Sequence, residues 1–95
     1  MARLMNVRAE ARFYGLVQGV YFRAYTVDFA KRLAVTGWVR NLSDGTVMAV
    51  FEGERSDIEE VVRKLREEHP AARVDRVDIT WSDAVGQFDD FSIRR

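Results

Sequence analysis

The sequence predicts an α+β domain: a ferredoxin-like βαββαβ sandwich with an antiparallel-rich sheet, two helices on one face and a short fifth strand. Three observations predict it. Apolar residues recur at every second position in an early and a late segment, the period of half-buried strands. They recur at helical spacing in two segments between, on either side of a hairpin pattern. Two helices are too few to cover both faces of such a sheet, so both belong on one face. A chain of 95 residues, 47% hydrophobic and 32% charged, has room for one core, and residues 1–95 are expected to form one domain.

Strand one comes from Val7, Ala9, Ala11 and Phe13 alternating with Arg8, Glu10, Arg12 and Tyr14. Helix one follows Gly15 and Gly19: Phe22, Thr26, Phe29, Ala30 and Leu33 share one face, Asp28, Lys31 and Arg32 the other, with an end expected near Thr36-Gly37. Strands two, Trp38 to Leu42, and three, Val47 to Glu52, flank Ser43-Asp44-Gly45-Thr46, where the Asp-Gly pair suits a tight turn. Ser56 and Glu59 have the spacing of a capping box for helix two, whose stripe is Ile58, Val61, Val62 and Leu65 and whose end is near Glu68. Glu59 with Arg63 and Glu60 with Lys64 are expected surface pairs on that helix. Pro70 stops it. Val77, Ile79 and Trp81 alternate as strand four, and Phe91 with Ile93 suggests a short fifth. The two tryptophans and the phenylalanines are expected in the core.

Composition excludes much chemistry. With no cysteine there is no disulfide, thiolate nucleophile or Cys-type metal site, and a single histidine leaves no His-His metal pair and a poor basis for a His-centred triad. No metal and no cofactor is expected. Fifteen basic against fifteen acidic residues argue against a broad basic footprint for nucleic acid or an anionic membrane. Thirteen of the basic residues are Arg, a bias that base composition or heat adaptation produces as readily as function. No apolar run approaches the ~20 residues of a membrane span, and Met1–Val7 lacks a signal-peptide core, so the chain is expected in the cytoplasm; it is separately expected to be a monomer.

The unusual segment is Gly15-Leu16-Val17-Gln18-Gly19-Val20-Tyr21-Phe22-Arg23, which joins a strand end to a helix start through two glycines. Such a turn lets backbone N–H groups converge at the positive end of a helix dipole, and an Arg in the first helical turn adds a planar fork for phosphate. Spacing alone leaves open an ordinary connection with a solvent-exposed Arg, since the pattern is neither a Walker A loop nor a dinucleotide fingerprint. Asn41, taken by itself, reads as a strand-end or turn-entry residue. His69 reads as an end residue that complements the helix dipole, Arg40 as solvated, and Asp89-Asp90 as an exposed turn.

The residues themselves resemble a family. Val17-Gln18-Gly19-Val20 followed by Phe22-Arg23 is similar to the first signature of the acylphosphatases, and Gly37-Trp38-Val39-Arg40-Asn41-Leu42-Ser43-Asp44-Gly45 to their second, at the family's separation. The likeness extends over essentially the whole chain. It implies a metal-independent hydrolase that splits the carboxyl-phosphate bond of a small-molecule acyl phosphate, releasing carboxylate and inorganic phosphate. Arg23 would bind the phosphoryl oxygens, the loop Gly15, Leu16, Val17, Gln18, Gly19 and Val20 would cradle them through backbone N–H groups, and Asn41 would position the attacking water. Leu16 stands where many of the family carry Arg, Tyr21 where the residue is often small, Ser43 where Pro is frequent, and Glu68-His69-Pro70 where Gly-Pro is common. Two readings of other classes stand beside this one: a phosphate-binding module without catalysis, which has counterparts inside larger maturation proteins, and a ferredoxin-like RNA binder, which needs sheet-face aromatics and a basic surface.

Overall fold

The structure is a computed structural model and describes residues 6–95, so residues 1–5 of the expected signal-free N-terminus lie outside the described residues. Seven elements follow in order: β1 (Val7–Leu16), α1 (Phe22–Arg32), β2 (Thr36–Asn41), β3 (Val47–Gly53), α2 (Arg55–Glu67), β4 (Arg73–Asp83) and β5 (Phe91–Ile93). They build one five-stranded sheet in the order β4-β1-β3-β2-β5. All neighbours are antiparallel except β2 and β5, which run parallel.

Alternation sets which face is buried. Ala9, Ala11 and Phe13 lie opposite Phe51, Ala49 and Val47 of β3, and all six are fully buried. Against them pack Phe22 and Ala30 of α1 and Ile58, Val61 and Leu65 of α2. Phe13 meets Phe22 edge-on at 5.1 Å, and Phe51 stacks on Phe91 at 5.5 Å, geometries that aromatic quadrupoles favour. The core therefore reaches the point where β1 ends and α1 begins.

On the opposite face Glu52 is 3% exposed. Its carboxylate accepts from the backbone N–H groups of Val85 at 2.8 Å and Gly86 at 2.9 Å, and from Arg8 Nη1 at 3.3 Å. One buried anion thus anchors the β4–β5 connection to the sheet. Burial works against its charge, but the two N–H donors and Arg8 outweigh that and hold its pKa below the ordinary value.

The structure corrects several expectations. Strand one runs two residues beyond Tyr14, and strand four begins at Arg73, because Gly15 and Leu16 pair with Val74 and Arg73 across a bulge. Helix one ends at Arg32, earlier than Thr36-Gly37, because Ala34 takes a left-handed conformation (φ 56°). There Val35 N–H bonds the Ala30 carbonyl at 2.9 Å and Ala34 N–H the Lys31 carbonyl at 3.3 Å, a Schellman closure with alanine where glycine is usual. The capping box does not form: Glu54 is the N-cap of α2, with no side-chain cap bond, and Ser56 already lies inside the helix. Glu59 pairs with Arg55, while Arg63 turns to Glu60 and Glu68 in place of the expected Glu59, and Lys64 pairs with Glu68 in place of Glu60. Trp38 and Trp81 are half-buried at the margins, under the guanidinium groups of Arg94 at 4.9 Å and Arg55 at 4.3 Å.

Candidate active site

A cavity of about 440 Å³ opens where the β1–α1 loop meets the end of β2; Val17, Gln18, Gly19, Tyr21, Arg23 and Asn41 are among its lining. Two elements bring it together. The bulge at Tyr14/Gly15 shifts the register of β1 on β4 just before β1 ends at Leu16. Gly15 has φ 126°, and a Cβ there would lie 2.2 Å from the Arg73 carbonyl oxygen, so only glycine lets β4 approach this closely. The loop then passes through Gly19 (φ 77°), where the space a side chain would take is open. Tyr21, itself left-handed at φ 61°, leads into α1 without a side-chain cap.

Backbone donors at this junction are unspent. Among the described residues, the N–H groups of Gln18, Gly19 and Val20 meet no backbone acceptor. The first N–H groups of α1 have no intrahelical partner by construction, and no acidic residue occupies its first turn. Arg23 sits in that turn, half-buried, with no ion pair among the described residues. Donors, dipole and guanidinium all carry positive potential into one cavity.

Asn41 enters from the other side. It ends β2 opposite Val47, on the sheet face that carries the core, whereas Arg40 points to the other face and is exposed. The Asn41 Oδ1 is buried and has no hydrogen-bond partner among the described residues. A buried acceptor is almost always paired in a folded protein, with protein or with water, so this atom marks unspent hydrogen-bonding capacity on a residue that lines the cavity.

Loop and hairpin are fastened by Gln18. Its side-chain Nε2 donates to the carbonyls of Leu42 at 2.8 Å and Thr46 at 2.9 Å. The turn they flank is closed by Leu42 N–H to the Thr46 carbonyl at 2.9 Å and by Gly45 N–H to the Leu42 carbonyl at 3.2 Å. Asp44 reinforces it, accepting from Thr46 N–H at 3.0 Å and Thr46 Oγ1 at 2.6 Å and pairing with Arg12. The Thr46 hydrogen bonds, and then Arg12, lower the pKa of Asp44.

The six loop positions divide. Val17, Gln18 and Gly19 line the cavity; Gly15 and Leu16 belong to β1, and neither they nor Val20 are in the lining. Tyr21, Phe22, Ala24 and Ile93 line it as well. The sequence carried no signal for Ile93 beyond a strand, because its place in the cavity depends on β5 pairing parallel to β2.

His69 differs from its reading as a dipole-complementing end residue. Its Nδ1 accepts from the backbone N–H groups of Ala71 at 3.0 Å and Ala72 at 2.9 Å, which requires that nitrogen to be unprotonated. Its ring lies 4.2 Å from Tyr25 and 5.9 Å from Phe22. Burial pushes its pKa below the ordinary value, although the carbonyls of Val20 and Tyr21 favour the charged form. It serves as a neutral packing residue that shapes the α2–β4 connection, outside the cavity lining.

Fold and cavity together define a class of protein: an α+β sandwich that presents unpaired backbone donors, an arginine and an asparagine at a loop-to-helix junction. Within that class, the acylphosphatase family model matches residues 9–93, and the chain belongs to the acylphosphatase family of hydrolases. It is 48% identical over 90 residues to an acylphosphatase of Pelotomaculum thermopropionicum, across 95% of this chain and 98% of that one. Among solved structures it is similar to an acylphosphatase from Bacillus subtilis (TM-score 0.88, 28% identity, 94% of this chain and 99% of that one). It is also similar to one from Coxiella burnetii (TM-score 0.83, 37% identity, 95% and 94%). No helix among the described residues is long and apolar enough to cross a membrane.

Proposed function

We propose that residues 1–95 act as one acylphosphatase-like domain that hydrolyses acyl phosphates to carboxylate and inorganic phosphate without a metal ion. Arg23 and the backbone N–H groups of the β1–α1 loop hold the phosphoryl oxygens, and Asn41 holds the attacking water. The observation that carries this is that Asn41, Arg23 and the loop with its unspent backbone donors line one cavity.

The reaction asks little of side chains. Water attacks phosphorus, the bond from phosphorus to the acyl oxygen breaks, and the carboxylate leaves with the electron pair. The dianionic substrate and water become one carboxylate and dihydrogen phosphate, so both water protons end on phosphate and none has to leave through the protein. A carboxylate, whose conjugate acid has a pKa of about 4, departs without general acid help. What remains is to place the water in line and to stabilise charge on the equatorial oxygens. An asparagine amide is neutral at any working pH and can fix a water by donating and accepting at once. The guanidinium fork and the fixed loop amides supply the charge stabilisation without reorganising.

Turnover of benzoyl phosphate beside a phosphate monoester, both in excess chelator, tests the reading. Rapid hydrolysis of the acyl phosphate alone is expected. Saturable phosphate binding with no turnover would instead mark a binding module, and equal rates on both substrates would remove the acyl phosphate assignment.

A further inference from the structure

We propose that Tyr21 and Ile93 form an apolar shelf at the mouth of the cavity that seats the acyl group, so that the enzyme selects aromatic and bulky aliphatic acyl phosphates over acetyl phosphate. The inference rests on the acyl phosphate reading above and adds the substrate class within it.

Four large apolar residues are exposed among the described residues: Leu16, Tyr21, Val85 and Ile93. Two of the four, Tyr21 and Ile93, line the cavity that also holds Arg23 and Asn41. Tyr21 is 81% exposed and Ile93 44%. The fold gains little packing from the Tyr21 ring. Tyr21 occupies a left-handed backbone position (φ 61°, ψ 27°) in which a residue with a Cβ is disfavoured and glycine is at ease. An aromatic ring placed there, with most of its surface in water, adds little packing to offset that strain. Such local cost without structural return is characteristic of functional sites.

Ile93 is placed by the parallel pairing of β5. It lies opposite Val39, two residues before Asn41, so all three side chains project from the same face of the sheet. Strand alternation thereby sets an isoleucine beside the asparagine of the site. A phosphoryl group held by the loop leaves the acyl half of the substrate pointing outward, across these two side chains. An acetyl group offers one methyl to bury there; a benzoyl or branched acyl group offers a whole ring or chain, and buried apolar area translates into affinity.

The test compares kcat/KM for benzoyl phosphate and acetyl phosphate in the full chain and in Tyr21→Gly, Ile93→Ala and the double variant. Benzoate is the better leaving group, so the ratio in the parent is not itself diagnostic; its change on substitution is, because leaving-group chemistry cancels. Tyr21→Gly removes the ring while easing the backbone, and competitive inhibition by inorganic phosphate reports whether the loop keeps its shape. Each single variant should lower the benzoyl-to-acetyl ratio by ~3-fold or more and the double variant by ~10-fold, with phosphate inhibition unchanged. Equal losses on both substrates, an unchanged ratio, or a loss matched by weaker phosphate inhibition would each overturn the shelf. A parent enzyme that hydrolyses neither substrate would instead defeat the acyl phosphate reading on which the shelf rests.

Discussion

Gln18 and Leu42 are joined across the site: the side-chain Nε2 of Gln18 donates to the Leu42 carbonyl at 2.8 Å, and the same nitrogen reaches the Thr46 carbonyl at 2.9 Å. One amide therefore couples the loop that leads to Arg23 with the turn that follows Asn41. Two groups on different elements act on one phosphorus atom only if their separation is held, and misplacement by about 1 Å can cost ~10²-fold in rate.

Replacing Gln18 should disturb catalysis more than stability. In Gln18→Ala the two carbonyls keep their bonds from Gly45 and Leu42, so the loss of stability should stay near ~1–2 kcal/mol. In Gln18→Glu a carboxylate oxygen faces two carbonyl oxygens, and turnover should fall at least ~10-fold because the loop is pushed from the turn. Steady-state kinetics with urea unfolding of both variants checks this; parental turnover in Gln18→Glu would show that the fastening has no catalytic consequence.

Arg23→Lys keeps the charge and removes the fork. It should lower kcat/KM by ~10²-fold, by analogy with loss of one preorganised donor, and weaken inhibition by inorganic phosphate. Unchanged phosphate inhibition would place the phosphoryl group elsewhere.

The α1 terminus offers a stabilising change. Ala34 closes the Schellman turn at φ 56°, where glycine avoids the Cβ clash and alanine does not. Ala34→Gly should raise stability by ~0.5–1 kcal/mol, the glycine's larger unfolded-state entropy offsetting part of the relieved strain, with activity unaltered. A lower melting temperature would mean that the entropy wins.

Acid should weaken the fold, with His69 contributing first and Glu52 later, beside the surface carboxylates of Asp44, Glu60, Glu68 and Asp75, whose pKa values are also lowered. His69 and Glu52 both have folded pKa values below their ordinary values of 6.5 and 4.5. For each, the unfolded chain binds the proton first as pH falls, so the stability it contributes is full above the ordinary value and is lost as pH drops through the folded one. His69 acts first, from about 6.5 downward, and Glu52 below about 4.5. Urea midpoints between pH 8 and pH 3 should flatten at the acid end in Glu52→Gln relative to the parent; an identical slope would mean that the Arg8, Val85 and Gly86 contacts carry no net linkage.

Much of this was legible in the chain because periodicity reports burial directly. Val7 to Phe13 alternates with the buried face, and Ile58, Val61 and Leu65 form the buried stripe of α2. Less legible were features set by tertiary pairing. The bulge that carries Gly15 and Leu16 into β1 depends on contact with Arg73 and Val74, and the left-handed Ala34 has no local signature. Ser56 had the spacing of a cap, but the helix starts one residue before it, at Arg55. At the site, the signatures around Gly15–Arg23 and Gly37–Gly45 drew attention to Arg23 and Asn41. Tyr21, standing where the family's residue is often small, was legible as a residue lining the mouth of the site, whereas the fastening by the Gln18 side chain and the place of Ile93 became visible only once β5 lay beside β2 and the loop beside the turn.

The most direct measurement is turnover of benzoyl phosphate by Asn41→Ala, made alongside inhibition by inorganic phosphate. If Asn41 holds the attacking water, kcat falls by at least ~10²-fold, roughly 3 kcal/mol of transition-state stabilisation, while phosphate inhibits as in the parent. Near-parental turnover, or a loss accounted for entirely by weakened phosphate binding, would contradict the water-positioning role.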